Sequence, residues 1–539
     1  MDNQSALSTL GPDVLNIIVN LLHAESPRSL RQFALVSKSY KAISERLLYR
    51  VIELGDGSTL HPNRLTNTKH IVDRLSTPKD QMSMYVRHLR ITGLNTTGET
   101  LDETDVERII VNVAQLEYFS WNASIQIPER IISKLESQWP NVRLVINKTK
   151  LNPNDSRLLQ SPLLYSLRYP MLASTSPVPG SMDFALQMRL PDLKEVLLGA
   201  TNLRSLAIDF ESSFPNCVHL SLQPSDRLPP LRALRISGRP GAYMYYHEHC
   251  RIFSQCMDWT RLRRLDLGIT CSQYFLEEIG SHLTNLKSLT MGIVTGKNGE
   301  LDCRSLGVIV NFIQSLDLHE LRLTDHINAT ETMASAIVES QTSLQELSYL
   351  PYLKRDHFSF PLHNQPTHMW EPSQLRELTL RNPGLSQLEI HVTLVEQKWP
   401  HDFIDTLVTL NRLKSLKIAV ELRMEASEFS GECGPSVGMG TDLPPLDETL
   451  GRKVTIDTFR AFFINDPNAR LNYLEVCFTR TIGEIWNPSV SFPIGIQRME
   501  RDDAPNPDQG GFNLGSSGGW LLGGGQGLKA DWIEDEFWE

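Results

Sequence analysis

The chain has 539 residues, of which 40% are hydrophobic and 21% are charged. This composition is ordinary for a folded globular protein, and the length permits several domains or one long repeat array. The formal net charge is −11 and no basic stripe stands out, which argues against nucleic acid or an anionic membrane as a partner.

Signals for export or membrane insertion are not evident. The first ten residues contain no basic stretch followed by an apolar one, so we expect no secretory signal. No run approaches the roughly 18 consecutive apolar residues of a membrane span. The seven cysteines are scattered, which is typical of free thiols in a reducing compartment. We therefore expect a cytoplasmic or nuclear protein with no membrane contact.

Residues 1–54 predict a module of three short helices. Pro12 suits the first position of one helix, and Ser26 with Pro27 suits the start of the next. Apolar residues recur at helical spacing, and about 43 residues are too few to cover them without help. Either a second protein covers these side chains, or the helices cap the first repeat of the following region.

Three blocks within this module carry a family signature. Leu10–Leu15 reads LGPDVL, Leu35–Tyr40 reads LVSKSY and Leu48–Ile52 reads LYRVI. In this order the blocks resemble the F-box, which joins a substrate receptor to the Skp-type adaptor of a cullin-based ubiquitin ligase. Gly11 stands where the family commonly has proline, and Tyr40 where it has tryptophan. The resemblance implies an adaptor-binding face composed of Leu10, Pro12, Val14, Leu15, Ile18, Leu22, Leu30, Leu35, Val36 and Tyr40.

Residues 55–84 are interpreted as a linker or connecting segment, and residues 85–494 as a repeat array. The array is dominated by the six-residue leucine frame L-x-x-L-x-L. Strong copies of the frame begin at Leu203, Leu231, Leu262, Leu286, Leu318, Leu344, Leu375, Leu413 and Leu471. Weaker copies begin at Val86, Leu116 and Cys217.

The leucine frame has a physical basis. Its last two apolar positions are two residues apart, so both face one side of a short strand. Residues 273–283 and 305–314 suit helices that return the chain to the next strand. We therefore predict an α/β fold in which the helical module precedes an irregular leucine-rich-repeat solenoid, with a parallel sheet on the concave face and helices outside. A generic α/β domain with leucine-rich strands is the alternative.

The turn after each strong frame lacks the asparagine or cysteine that a regular repeat carries, so we predict no continuous asparagine ladder. The polar residues that alternate with the leucines should face the sheet surface. Their mixed charges suit a protein partner better than a phosphate. The predicted substrate-binding residues are Arg235, Arg264, Asp266, Glu320, Arg322, Glu346, Glu377 and Lys417.

Two segments predict little regular structure. Residues 425–452 are interpreted as a flexible insertion, and residues 495–539 as a disordered, glycine-rich tail. From Asp502 to Glu539 the tail carries eight acidic residues against Lys529 alone. Its end, ADWIEDEFWE, is either a solvated acidic tail or a short peptide that docks onto a basic groove.

No pattern of catalytic or ligand-binding residues emerges. The glycines near residues 510–527 lack the Lys-Ser/Thr ending of a phosphate loop, and no G-x-S-x-G elbow occurs. His247, His249, Cys250 and Cys256 fit no standard zinc spacing. We predict no metal, no cofactor and no enzymatic activity.

The chain thus resembles fungal F-box proteins with degenerate leucine-rich repeats. That resemblance implies a substrate-recognition adaptor of an SCF-type ubiquitin ligase, itself non-catalytic. Its expected partners are the Skp-type adaptor with the cullin core and an unidentified substrate protein held by the repeats. The alternative is a repeat scaffold outside any ligase complex, in which the helical module merely caps the solenoid.

Overall fold

The structure is a computed structural model that divides into two compact units. Unit 1 comprises Met1–Glu211 with Leu220–Leu231, and unit 2 comprises Ser212–His219 with Arg232–Glu539. The residues described are 11–25, 27–55, 62–93, 101–123, 125–147, 156–171, 190–210, 220, 222–237, 247–268, 273–293, 303–325, 329–351, 370–394, 401–410, 412–424, 455, 458, 460–462, 470–482, 485–486, 492–497 and 513–515.

Unit 1 begins with three mutually packed helices. They are α1 (Pro12–Glu25), α2 (Pro27–Val36) and α3 (Lys38–Leu48). The side-chain hydroxyl of Ser37 accepts a hydrogen bond from the Tyr40 backbone N–H at 3.2 Å, which caps α3. Among the described side chains of the module, the buried ones are Leu15, Val19, Leu30, Tyr40 and Ser44.

Parallel strands alternate with helices through the rest of unit 1, and each strand pairs with the next one along the chain. The strands are β1 (Val51–Leu54), β2 (His88–Ile91), β3 (Tyr118–Trp121), β4 (Arg143–Ile146), β5 (Leu164–Met171) and β6 (Ser205–Phe210). The helices are α4 (Pro62–Leu75), α5 (Gln81–Tyr85), α6 (Glu103–Asn112), α7 (Glu129–Gln138), α8 (Ser156–Leu159) and α9 (Leu190–Gly199).

Unit 2 continues the same alternation, with parallel pairing from β7 to β14. These strands are β7 (Ala233–Ser237), β8 (Arg264–Asp266), β9 (Ser288–Ile293), β10 (Glu320–Asp325), β11 (Glu346–Pro351), β12 (Gln387–Leu394), β13 (Ser415–Met424) and β14 (Tyr473–Ile482). The helices are α10 (His247–Cys256), α11 (Gln273–Ile279), α12 (Cys303–Gln314), α13 (Thr330–Ser340), α14 (Pro372–Arg381) and α15 (His401–Val408).

The last strands of unit 2 pair antiparallel instead of parallel. Strands β15 (Ile485–Trp486) and β16 (Phe492–Gln497) pair antiparallel with β14, and β17 (Asn513–Gly515) pairs antiparallel with β16. The edge of β14 is thereby covered by its own chain, which removes a row of unpaired backbone groups.

Each sheet has one core face and one open face. In β10, Leu321 and Leu323 are buried, whereas the alternating Glu320 and Arg322 are partly exposed. Consecutive helices pack against each other, from α6 to α7 in unit 1 and from α10 to α15 in unit 2. The predicted fold class is therefore confirmed: helices line one side of a parallel sheet in repeats of the leucine-rich type.

The leucine frame predicted at Leu375 was wrong, because that segment is helix α14. Pro372 occupies the first helical position, and Glu371 with Gln374 forms a capping box. Leu375 is buried but Leu380 is 77% exposed, so the spacing follows a helix rather than a strand. The strand of this repeat is β12, which lies in the overlooked frame LSQLEI at residues 385–390.

Other predicted boundaries also need correction. Residues 55–84, interpreted as a linker or connecting segment, contain α4 and all but the last residue of α5. Strand β1 already pairs with β2, which places the first repeat strand inside the predicted helical module. Of the weak frame starting at Cys217, the described residues Leu220 and Leu222 lie outside any strand.

Two predictions concern the C-terminal part of the chain. The insertion predicted at residues 425–452 lies outside the described residues. The tail predicted to be disordered from residue 495 includes the end of β16 and all of β17, so residues 495–497 and 513–515 are paired into the sheet.

Buried amide side chains join consecutive repeats of unit 2. The Nε2 group of Gln341, at the end of α13, donates to the backbone carbonyls of Ile313 and Leu316 at 2.8 and 2.9 Å. Its Oε1 accepts from the Leu318 N–H at 3.1 Å. One side chain thus satisfies three backbone groups of the preceding repeat.

The Asn382 side chain also hydrogen-bonds three backbone groups, one repeat later. Its Nδ2 donates to the carbonyls of Gln341 and Leu378 at 3.0 and 2.9 Å, and its Oδ1 accepts from the Leu344 N–H at 2.8 Å. These amides lie where a helix turns into a strand. The asparagine of a regular repeat would lie at the opposite turn, after the strand.

A buried carboxylate lies at the end of β10. Asp325 accepts a hydrogen bond from the Tyr349 hydroxyl at 2.6 Å and lies 3.4 Å from the hydroxyl of Thr330, at the start of α13. Burial, followed by the charge of Asp325, raises the pKa of Tyr349 well above its ordinary value, so its hydroxyl remains a donor. The N-terminus of α13, where the helix dipole is positive, favours the negative charge of Asp325.

Candidate functional site

Helix α1 exposes an apolar stripe on the side opposite its buried Leu15 and Val19. The stripe consists of Val14, Ile17 and Leu21, which are 44%, 60% and 55% exposed. Their spacing of three and four residues places them on one helical face. We name these three residues the docking ridge. Exposed apolar side chains that align in this way are typical of protein interaction surfaces.

The C-terminal end of α2 adds two exposed apolar side chains, Leu35 and Val36. Both belong to the predicted adaptor-binding face, as does Val14 of the docking ridge. Ile18 and Leu22 are half-buried. The prediction that these residues contact an adaptor stays a prediction, but their side chains reach the surface.

Three residues of the predicted face require correction. Leu15, Leu30 and Tyr40 are buried inside the module, and the Tyr40 ring stacks on Phe33 with centroids 4.6 Å apart. Since an interior side chain is not accessible to a partner, their role is to hold the three helices together. Leu10 and the Pro12 side chain lie outside the described part of the chain.

Sequence reasoning missed Ile17 and Leu21 as members of the surface. A wide apolar stripe on a helix does not reveal which edge is covered by neighbouring helices. The signal available was the spacing from Val14, since residues three and seven positions later share its face.

The open face of unit 2 carries most of the predicted substrate-binding residues. Arg322 lies 2.8 Å from Glu320 of the same strand and 3.2 Å from Glu346 of the neighbouring strand β11. Burial would lower the pKa of Arg322, but the two carboxylates outweigh it, and the pKa is raised above its ordinary value. This open face is therefore lined by carboxylates that Arg322 partly neutralises.

The remaining predicted substrate-binding residues lie in three kinds of position: buried in the sheet, accessible on a strand, or on a helix. Arg235 and Asp266 are buried and lie 3.4 Å apart, so they form an internal ion pair rather than a free surface. Arg264 on β8 is half-buried, and Lys417 on β13 is exposed. Glu377 was wrongly assigned to a strand: it lies on α14 and pairs with Arg381 at 2.7 Å.

The open face of unit 1 carries a cluster that sequence reasoning missed. We define the tyrosine–arginine cluster as Tyr118, Arg143 and Tyr165, which lie on β3, β4 and β5. The Arg143 guanidinium carbon lies 5.0 Å from the Tyr118 ring centre and 4.9 Å from that of Tyr165. Arg143 also donates a hydrogen bond to the Tyr118 hydroxyl. Two cation–π contacts therefore hold one guanidinium.

His88 on β2 extends this cluster. Its ring lies 4.6 Å from that of Tyr118, and its side chain is only 5% exposed. Burial, and then the charges of Arg50, Arg90 and Arg143, lower the pKa of His88 to about 4. The imidazole is therefore neutral at physiological pH.

Acidification from pH 6.5 to about 4 is expected to remove about 3 kcal/mol of unit 1 stability through His88. The unfolded imidazole, with its ordinary pKa of 6.5, takes up the proton before the folded one does. The contribution is thus fully present above pH 6.5 and lost as pH falls. Urea denaturation at both pH values should show this loss in the native sequence and not in His88→Gln. Equal pH dependence in the two proteins would contradict the assignment.

Within the described residues, no three His, Cys, Asp or Glu side chains gather closely enough to hold a metal ion. Cys250 and Cys256 are buried in unit 2, and His247 Nε2 lies 2.8 Å from a Glu278 oxygen. No described helix combines the length and apolarity needed to cross a membrane.

Parallel strand–helix repeats with buried leucines give this chain a leucine-rich-repeat-like fold. No profile of a known protein family matches it, and no curated protein matches it. A crystal structure of the TLR13–ssRNA13 complex is similar at 14% sequence identity with a TM-score of 0.26. That similarity covers 72% of this chain and 53% of the other. The fold class therefore rests on the strand pairing and helix packing of this chain itself.

Proposed function

We propose that the protein is the substrate-recognition adaptor of an SCF-type ubiquitin ligase, resembling fungal F-box proteins with leucine-rich repeats. The docking ridge carries this proposal, because a folded module that still exposes Val14, Ile17 and Leu21 has an apolar surface for a second protein. The F-box resemblance of residues 10–52 supports a Skp-type adaptor as that protein, with the cullin core behind it.

In this role the chain is not an enzyme and performs no chemistry of its own. The repeats hold a substrate protein, and the helical module holds the ligase core. Joining the two raises the effective concentration of substrate lysines near the ubiquitin thioester carried by another subunit. The open faces of the sheets, with polar side chains at many of the alternate strand positions, are the surfaces for the substrate.

The second candidate is a repeat scaffold outside any ligase. One observation favours it: helix α3 packs against α5, so the module also covers the start of the repeats. A cap of this kind needs no adaptor. The two candidates differ in one respect that an experiment measures, which is whether the docking ridge binds a Skp-type adaptor.

The double substitution Ile17→Asp with Leu21→Asp is expected to weaken binding to a purified Skp-type adaptor by at least about 50-fold, because each carboxylate would be buried unpaired at the interface. Both residues are more than half exposed, so the fold should remain intact. Surface plasmon resonance measures the affinity, and circular dichroism confirms that the melting profile is unchanged.

Asn16→Asp is the matched control. Asn16 is exposed on the same helix but points away from the docking ridge, so the added charge should leave adaptor affinity unchanged. Full adaptor binding by the folded double variant would refute the proposed docking surface. Failure of the native chain to bind any Skp-type adaptor would favour the scaffold.

A further inference from the structure

Arg143 differs from three other arginines on the strands of the two units, Arg168, Arg235 and Arg322. Arg168 pairs with Asp209 and Arg235 with Asp266, each on the neighbouring strand, and Arg322 pairs with Glu320 of its own strand and Glu346 of the next. Among the residues that the structure describes, the Arg143 side chain instead contacts Tyr118 and Tyr165 and forms no ion pair. Its charge is held in place without being neutralised.

The surroundings of Arg143 are also positively charged. Arg50 and Arg87 share the single carboxylate of Glu117, at 3.9 and 3.8 Å. His88 beside them is neutral, as its lowered pKa requires. Because two cations share one anion, the described residues around the tyrosine–arginine cluster carry an excess of positive charge even before Arg143 is counted.

The guanidinium is preorganised for a planar anion. The Tyr118 and Tyr165 rings stand at 87° to each other and both lie against the guanidinium, and its contact with the Tyr118 hydroxyl uses only one of its five N–H groups. Arginine binds carboxylates through two parallel hydrogen bonds, and little side-chain entropy is lost when the fork is already oriented.

We propose that the tyrosine–arginine cluster binds a carboxylate side chain of an acidic peptide segment in a partner protein. Arg143 contacts the carboxylate, and Tyr118 and Tyr165 act as positioning residues. The proposal rests on the proposed protein-binding role of the repeats and adds the chemistry of the partner. It does not depend on the docking ridge or on the adaptor.

A single-stranded nucleic acid is the less favoured ligand. Stacked recognition of bases requires free aromatic faces, whereas Tyr118 and Tyr165 each turn a face to Arg143. The net charge of −11 also opposes a polyanion that tracks along the whole chain. A short acidic segment needs only the local positive region.

The test uses the full chain and a fluorescein-labelled peptide of about ten alternating Glu and Ala residues, which present successive carboxylates on one side when extended. Fluorescence anisotropy at low ionic strength measures its affinity. We expect the peptide to bind the native protein, and its Gln/Ala counterpart not to bind. Arg143→Gln should weaken binding by about tenfold or more, because the charged fork is removed.

Two further variants refine the test. Arg143→Lys keeps the charge but loses the planar fork, so its affinity should lie between those of the native protein and Arg143→Gln. Arg108→Gln removes an exposed arginine from helix α6 and should leave binding unchanged. A folded Arg143→Gln that binds as tightly as the native chain would overturn the proposal. So would equal binding of the Gln/Ala peptide, or full affinity in Arg143→Lys.

A labelled single-stranded oligonucleotide of similar length is the competing probe. Tighter binding of the oligonucleotide than of the acidic peptide, lost in Arg143→Gln, would replace the peptide proposal with nucleic-acid binding. Adaptor affinity measured on the same Arg143→Gln protein should be native, because the docking ridge is unaltered. Failure at Arg143 and failure of the ligase role therefore give different results.

Discussion

Replacing Trp259 with alanine is expected to lower the free energy of unfolding of unit 2 by about 4 kcal/mol. The indole is 2% exposed. It forms edge-to-face contacts with Phe253 and Phe275, at centroid distances of 4.9 and 5.8 Å. Its Nε1 donates to the backbone carbonyl of Phe253 at 3.3 Å. Truncation removes the buried area, both ring contacts and this hydrogen bond at once.

The measurement is urea denaturation followed by far-ultraviolet circular dichroism. Tyr274→Ala is the matched control, because this aromatic residue lies on neighbouring helix α11 but is 44% exposed. Its loss should cost less than about 1 kcal/mol. If Trp259→Ala cost no more than Tyr274→Ala, the ring cluster would not contribute to holding α10 and α11 together.

Asn382→Ala is expected to lower the free energy of unfolding of unit 2 by about 3 kcal/mol. The substitution leaves the Leu344 N–H and the Gln341 carbonyl without their side-chain partner in a buried turn. Hydrogen exchange of the Leu344 amide should accelerate, since its acceptor is removed. Asn382→Asp keeps that acceptor but loses both donors, so it should also destabilise while protecting the Leu344 amide better than alanine does.

Asn285→Ala provides the comparison for Asn382. Asn285 also links two repeats, donating from Nδ2 to the Thr260 carbonyl at 2.7 Å, but it is exposed to water. Water replaces the lost bond there, and we expect a cost below about 1 kcal/mol. Similar costs at the two sites would mean that burial does not set the strength of the amide links.

Much of the repeat architecture was predictable because the leucine frame has strand periodicity. The frame beginning at Leu318 became β10, and its last two apolar positions are buried side by side on the core face. Residues 273–283 became α11 followed by a short 3₁₀ turn, as their helical spacing indicated.

The segment at residues 375–380 shows where periodicity failed. LRELTL satisfies the strand frame and also a helical spacing of three. The proline and capping box before it, together with the nearby frame at residues 385–390, decided in favour of a helix. Local pattern alone is ambiguous when both periods fit the same leucines.

The candidate surfaces were less predictable than the strands. Helical spacing identified α1 as amphipathic, but Leu15 and Ile17 are equally apolar in sequence. Leu15 is buried and Ile17 is exposed because α1 packs against α2 and α3 through the face that carries Leu15. The ion pair of Arg235 with Asp266 was similarly hidden, because it depends on the parallel register of β7 and β8.

The alternation of strands and helices could be read from the amino-acid pattern alone, because hydrophobic period is a local property of each segment. Tertiary structure decided which apolar side chains stay on the surface and which polar ones meet. Tyr118, Arg143 and Tyr165 come together only because parallel pairing brings β3, β4 and β5 side by side. Contacts between residues far apart in the chain depend on register, which no single segment encodes.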